Sequence, residues 1–365
     1  MARLARVELF APDEIAVVHV MNRVVRRCFL MGDDPVSGKN YDHRKHWIED
    51  QLRRCAALFG IDLLAFAILD NHFHLVLRSR PDVVREWSDE EVARRWRLLC
   101  PYRKHADGTA REPSQAEVNS ITTDPDKLRE TRQRLSDISW WMRLLCQRIA
   151  QRANKEDDAT GKFWENRYRA VRLLDEEALL ACSAYVDLNP IRAGLAKTVE
   201  DSDHTSAQRR IQSLATCDAN ERVNSTRKSR THGEPTAAKT QRPDSFLSPV
   251  QIDELRDALG ARRHKEGVRC SDKGYLAMPI EGYLELLDWT ARRIVPGKSG
   301  NTRAETPPIF DRLKIKPAAW QQLVTHFGQL FSQVAGQPHH VDEYRSRLRR
   351  NRFHMPASTR QLLAG

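Results

Sequence analysis

This chain lacks paired cysteines, long apolar runs and any surplus of acid. Its seven cysteines, at positions 28, 55, 100, 146, 182, 217 and 270, lie far apart, form no C-x-x-C pair and are odd in number. That argues against a disulfide framework or a cysteine-based zinc module and fits a reduced, cytoplasmic protein. No stretch approaches the roughly 18 consecutive apolar residues of a membrane helix. The opening Met1-Ala2-Arg3-Leu4-Ala5-Arg6 has no apolar core of the kind an export signal carries. Neither export nor a membrane span is expected. Lys and Arg outnumber Asp and Glu by 60 to 49, a net charge of +11, which favours a polyanionic partner without naming it. With 40% hydrophobic and 30% charged residues over 365 positions, the chain is globular and has length for one large or two ordinary domains.

The stretch that organises the rest is Asp70-Asn71-His72-Phe73-His74-Leu75-Val76-Leu77-Arg78. In a strand, side chains alternate between faces, so His72 and His74 point one way and Phe73 the other. The apolar run Leu63 to Leu69 before them ends in Asp70-Asn71, a polar pair suited to a tight hairpin. Upstream, Ile15 to Met21 is rich in β-branched residues and reads as a first strand. It contains His19, which a neighbouring strand would bring near the His pair. His43 to Phe59 carries apolar residues at helical spacing and stops at Gly60.

Residues 81–137 are charged and polar and read as an insertion with one or two short helices and a loop. Leu135 to Ala153 is an amphipathic helix with Arg143 and Arg148 on its polar side. A fourth strand ends the aromatic and basic segment Phe163 to Leu174. Asp175 can cap a following helix that Asn189-Pro190 ends. The order β-α-β-β-α-β plus a helix predicts an α+β fold. Its expected core is a ferredoxin-like antiparallel sheet with helices on one side and the third strand central beside the first. A catalytic domain over 1–215 is followed by a flexible basic linker over 216–245 and a helical accessory domain over 246–365. In the last of these, helices fit Ser248 to Arg263, Pro279 to Ile294, Pro308 to Leu313 and Pro317 to Ala335, before a basic tail from Tyr344 to Arg352.

On the helix after the fourth strand, Tyr185 and Asn189 are four residues apart and share a face. A tyrosine phenol can attack phosphorus when a metal polarises the phosphate. His72 and His74 provide two nitrogens for such a metal, and the Asn189 amide oxygen offers a third ligand. With open positions left for substrate, this set suits Mg or Mn. Taken singly, a His-x-His pair also suits an ordinary strand, and a helical tyrosine is most often a packing aromatic.

The combination resembles a known family. Asp70 to Leu77 is similar to the HUH motif (His, bulky hydrophobe, His) of single-tyrosine transposases. Asn166-Arg167-Tyr168-Arg169-Ala170, Tyr185-Val186-Asp187-Leu188-Asn189-Pro190-Ile191-Arg192-Ala193-Gly194-Leu195 and Asp203-His204-Thr205-Ser206-Ala207 resemble, in order, segments of the REP-associated tyrosine transposase branch. The likeness spans roughly residues 10 to 210. It departs at Asp70, where the family usually has proline, at Asn189, where it often has Gln, and in the greater length of 81–137.

The resemblance implies a transposase that cleaves and rejoins single-stranded, hairpin-containing DNA. The metal would be held by His72, His74 and Asn189, and Tyr185 would form a 5′-phosphotyrosine. Candidate DNA contacts are Arg78, Arg143, Arg148, Arg167, Tyr168, Arg169 and Arg172. A monomer and a homodimer both remain open. So do two other readings, a nucleic-acid-binding descendant without cleavage and a metal-dependent hydrolase in which the His pair activates water.

Overall fold

The computed structural model describes residues 9–25, 28–228, 242–253, 260–294, 307–348 and 355–364. The chain begins with β1 (Val17–Arg23), α1 (His43–Leu58), β2 (Ile61–Ile68) and β3 (His72–Ser79). Then come α2 (Pro81–Arg85), α3 (Asp89–Leu99), α4 (Gln115–Thr122), α5 (Pro125–Ser136) and α6 (Ile138–Glu156). β4 (Arg169–Leu173), α7 (Glu176–Asp187), α8 (Asn189–Arg192) and α9 (Ser206–Lys228) follow. The C-terminal part holds α10 (Ile280–Ile294), α11 (Ile309–Leu313), α12 (Pro317–Leu330), β5 (Val334–Ala335), α13 (Pro338–Arg347) and α14 (Ala357–Ala364). Among the described residues no helix is long and apolar enough to cross a membrane.

The fold is α+β, around a five-stranded sheet in the order β2-β3-β1-β4-β5. The hairpin expected between β2 and β3 forms: Leu69 N–H donates to the His72 carbonyl (2.9 Å) across the Asp70-Asn71 turn, and Lys45 holds the Asp70 carboxylate at 2.6 Å. β3 lies beside β1 as expected, and the first four strands in the sheet order pair antiparallel. The sheet as a whole is mixed, which corrects the all-antiparallel expectation. β5, from the far end of the chain, pairs parallel with β4 and covers an edge that would otherwise expose unpaired backbone groups.

Cross-strand partners point to the same face. Met21 lies opposite both His74 and Arg169, Arg23 opposite His72, and His19 opposite Val76 and Val171, so these side chains share one face. The other face carries Val18, Val20, Phe73, Leu75 and Leu77, all buried. It is the face of Asn22, whose amide reaches the Cys146 sulfur of α6 (3.2 Å), while Phe59 and Trp141 join the α1 and α6 sides with ring centres 5.5 Å apart. The histidine face is covered by α7 and, beyond it, by α12.

Three sequence expectations change. The insertion contains four helices, α2 to α5, because each has its own start signal: Pro81, the Ser88 cap, the Ser114–Glu117 capping box, and Asp124 followed by Pro125. The helix expected from Ser248 does not form over 248–253, because backbone there pairs elsewhere. Ser248 N–H donates to Leu63 O (3.0 Å), Ile252 N–H to Leu276 O (2.8 Å), and Val250 O accepts from Tyr275 and Leu276. Residues 254–259 of that expected helix lie outside the described residues. The helix expected over Pro317 to Ala335 stops at Leu330, since Val334 and Ala335 are taken into the sheet. Of the linker over 216–245, residues up to 228 continue α9, and 229–241 lie outside the described residues. The basic tail begins inside α13, where Tyr344 is buried, and its residues 349–352 also lie outside.

Asp62 ties the C-terminal part to the sheet. Buried at the start of β2, it accepts from Arg78 Nε (2.9 Å), Arg80 Nη1 (3.2 Å), and both the backbone N–H (3.1 Å) and hydroxyl (2.8 Å) of Ser271. Arg78 in turn donates to the carbonyls of Lys273 (2.7 Å) and Gly274 (2.8 Å). Removing the carboxylate leaves the Arg78 guanidinium without its acidic partner and Arg80 with Asp82 alone. Asp62→Ala is therefore expected to cost about 3 kcal/mol of unfolding free energy, measured by denaturant titration. A loss below about 1 kcal/mol, the range of an exposed ion pair, would show that this cluster does not hold the C-terminal part in place.

A candidate histidine and tyrosine active site

The hairpin start fixes His72. Asn71 Oδ1, an acceptor, lies 2.6 Å from His72 Nδ1; when Nδ1 carries the proton that this oxygen accepts, the lone pair is on Nε2. His74 Nδ1 lies 2.9 Å from His19 Nε2, the two rings stacked at 5.1 Å and 7°. When His74 donates in this bond, its own Nε2 lone pair is free, and that atom is buried without a hydrogen-bond partner. A second histidine that orients a ligating one is a recurring feature of metal sites.

Burial, reinforced by neighbouring cations, disfavours the charged ring in all three. His19 is held at about 3, mainly by desolvation and then by Arg169. His72 sits at about 4 through desolvation, Arg23 and Arg192. His74 is pushed well below the usual value, again chiefly by burial. Neutral imidazoles are the form that binds metal.

α7 brings Tyr185 to the same place. Its N-terminus is capped by Asp175, which accepts from Ala178 N–H (2.9 Å). Its C-terminus is anchored by buried Asp187, which accepts from Ser206 Oγ (2.5 Å), Ala207 N–H (2.9 Å) and Tyr283 OH (2.7 Å). Burial raises the Asp187 pKa. The Tyr185 ring meets His74 edge-on at 5.3 Å and His19 at 5.9 Å. After the break at Leu188, α8 sends Arg192 back over that ring, 4.7 Å from its centre.

These side chains line one cavity of about 170 Å³, whose cationic members are Arg23, Arg169 and Arg192. Its remaining wall comes from Thr325, His326, Gly328 and Gln329 of α12, with Phe331. Two imidazole nitrogens with available lone pairs fit a divalent metal completed by oxygens of a phosphate and water. Among the described residues, no group of three or more His, Cys, Asp or Glu side chains is arranged to hold a metal by itself.

His72, His74, Tyr185 and Arg169 come together; the other sequence candidates lie elsewhere. Asn189 begins α8, its Nδ2 is buried without a partner, and it does not line the cavity. Arg78 is engaged at Asp62. Arg148 donates to Gln51 Oε1 (3.2 Å) and the Leu99 carbonyl. Arg172 grips Glu14 (2.6 and 2.8 Å) beneath the Tyr344 ring. Tyr168 is buried, with its hydroxyl donating to Ser139 (3.2 Å). Arg143 and Arg167 are exposed, Arg143 lying over Trp140 at 4.6 Å.

Sequence reasoning missed Arg23 and Arg192 as site residues. A signal existed for Arg23, which follows His19 by four in a strand and so shares its face. Arg192 lies beyond the break at Leu188, where helical spacing from Tyr185 does not mark it. Nothing local marks the α12 residues.

No family model matches the chain, and no curated protein matches it. A solved structure described as a REP-associated tyrosine transposase bound to a REP hairpin is similar at 12% identity and a TM-score of 0.32, over 58% of this chain and 86% of that one. The likeness is distant, and the functional reading rests on this chain's own residues.

Three histidines buried neutral make stability fall in acid. In the unfolded chain they titrate near 6.5 and take up protons that the folded rings refuse. The stability they contribute is therefore complete above pH 6.5 and is lost as pH falls toward 4. Over the window from pH 7 to 5 the loss is about 2 kcal/mol for each ring. Denaturant titrations in chelator should register it in wild type and about two thirds of it in His19→Phe; an equally steep profile in both would contradict a neutral buried His19.

Proposed function

We propose that this chain is a metal-dependent transposase that cleaves and rejoins single-stranded DNA, with hairpin-bearing strands as substrate and Tyr185 as nucleophile. The proposal includes a ferredoxin-like catalytic core within residues 1–215 and a DNA-holding accessory role for 246–365. One observation carries it: His72, His74 and Tyr185, from distant parts of the sequence, line a single cavity together with Arg23, Arg169 and Arg192. The net charge of +11 adds support for a polyanionic partner.

Three guanidinium groups around one small cavity are suited to a phosphodiester, whose non-bridging oxygens accept their charge-assisted hydrogen bonds. Arg192, packed on the Tyr185 ring, would orient both the phenol and the phosphate. His72 and His74 are the residues that would hold Mg or Mn, which when bound supplies Lewis-acid polarisation of the scissile phosphate. Tyr185 Oη forms a bond to phosphorus as the bond to the 3′ oxygen breaks. The phenol loses a proton and the departing hydroxyl gains one, leaving a 5′-phosphotyrosine. A 3′-hydroxyl from another strand can reverse the step, so joining needs no nucleoside triphosphate.

A second reading, a nucleic-acid-binding protein without cleavage, is favoured by one observation: among the described residues no three His, Cys, Asp or Glu side chains are grouped to hold a metal, and Asn189 is not in the cavity lining. Labelled single-stranded hairpins incubated with the full chain and Mg or Mn, then run on a denaturing gel, separate the readings. A DNA–protein adduct is expected with wild type, none with Tyr185→Phe or chelator, and at least about 100-fold less with His74→Ala. Hairpin affinity should survive Tyr185→Phe within a few fold. Tight binding across a hairpin library with neither adduct nor nick would establish the binding protein instead, and nicking without an adduct would point to a hydrolase in which the His pair activates water.

A further inference from the structure

We infer that the α12 turn Thr325–Gln329 is part of the active site and positions Tyr185 and Arg192, with Gly328 the position where an added side chain would crowd the tyrosine hydroxyl. The inference rests on Tyr185 being the nucleophile.

Three contacts carry it. The helical path of α12 breaks at His326 (φ −119°, ψ 17°), and beside that break the Thr325 carbonyl accepts from Arg192 Nη2. The same guanidinium covers the Tyr185 ring at 4.7 Å. Phe327 is fully buried, with its ring centre 5.7 Å from Tyr185 and 6.1 Å from His19, so it packs beside the phenol and the histidine behind it. At Gly328, a Cβ would stand 3.2 Å from the Tyr185 hydroxyl oxygen, tighter than ordinary van der Waals contact. Any side chain there must displace the hydroxyl by a few tenths of an ångström.

The wall is held to the helix that carries the tyrosine. Asp175 caps α7 through Ala178 N–H, and its other oxygen accepts from Gln337 N–H (2.6 Å) and faces His340 Nδ1 (2.8 Å), just beyond β5. Leu174 N–H donates to Ala335 O (2.9 Å). Tyr185 and the turn that touches it are thus braced through one carboxylate and one strand pair, which suits in-line attack, where small misplacements of the reacting oxygen are costly.

A packing role alone makes a different prediction, so the test separates rate from affinity and stability. Gly282 in α10 is the control, since a Cβ there meets nothing closer than 3.6 Å. Both Gly→Ala changes place alanine within a helical segment, which alanine favours over glycine. In single-turnover reactions of the full chain at saturating hairpin, Gly328→Ala is expected to form the Tyr185 adduct about tenfold more slowly. Its hairpin Kd should stay within about twofold, its Tm should not fall, and Gly282→Ala should match wild type. Phe327→Leu, which keeps the site apolar but removes the ring, should slow the same step.

An unchanged adduct rate in Gly328→Ala, or a rate loss matched by equal losses of affinity or Tm, would overturn the inference. In fluorotyrosine-labelled protein, the ¹⁹F line assigned by Tyr185→Phe should move in Gly328→Ala and not in Gly282→Ala; an unmoved line overturns it as well. Absence of any adduct in wild type would sink the transposase reading itself, with the fluorine shift still deciding whether α12 sets the tyrosine.

Discussion

The register of β1 against β3 is the constraint on which the candidate site depends. Strand side chains alternate with a period of two, so a slip of one residue would send His72 and His74 to the opposite face and put Phe73 among the arginines. Two features prevent that slip. The opposite face is a continuous apolar layer of Val18, Val20, Phe73, Leu75 and Leu77, and a slip would expose it. The Asp70-Asn71 turn, pinned by Lys45, fixes where β3 begins. Given this register, Met21 faces His74, Arg23 faces His72, and His19 comes within a hydrogen bond of His74.

The second layer depends on buried carboxylates that reach across long stretches of chain. Asp62 joins β2 to residues 271–274, Asp175 joins the start of α7 to the segment after β5, and Asp187 joins its end to α9 and α10. Each is expensive to bury, and each is supplied with several donors, as buried charge requires. Their common effect is to fix α7 at both ends and to set α12 beside it. Tyr185 therefore lies between a rigid sheet and a C-terminal helix that belongs to a different part of the sequence.

Legibility followed the range of the interactions. The strand alternation of His72 and His74, the hairpin turn and the Asp175 cap are local, and the sequence disclosed them. The order of the first four strands was also accessible, because it follows from the sequence of elements and from which segments are apolar. Arg78, Arg148 and Arg172 read equally well as surface cations. Only the fold revealed that Asp62, the Leu99 carbonyl and Glu14 take them up. Asn189 shares a helical face with Tyr185 only if the helix continues, and the break at Leu188 removes that condition. The helix expected from Ser248 had a sound cap signal but lost to pairing with Leu63 and Leu276, partners no local pattern specifies. The α12 wall was unreadable for the same reason: nothing in Thr325-His326-Phe327-Gly328 announces a tyrosine far upstream.

The central claim is that the histidine pair and Tyr185 act on one and the same phosphate. Sulfur substitution at a non-bridging oxygen of the scissile phosphate tests this most directly, because sulfur is a poor partner for Mg and a better one for Mn. The account predicts that adduct formation at Tyr185 on one diastereomer is suppressed in Mg and restored in Mn, and that His74→Ala loses the rescue. Equal adduct rates in the two metals for both diastereomers would contradict it, separating the histidines from the phosphate that Tyr185 attacks.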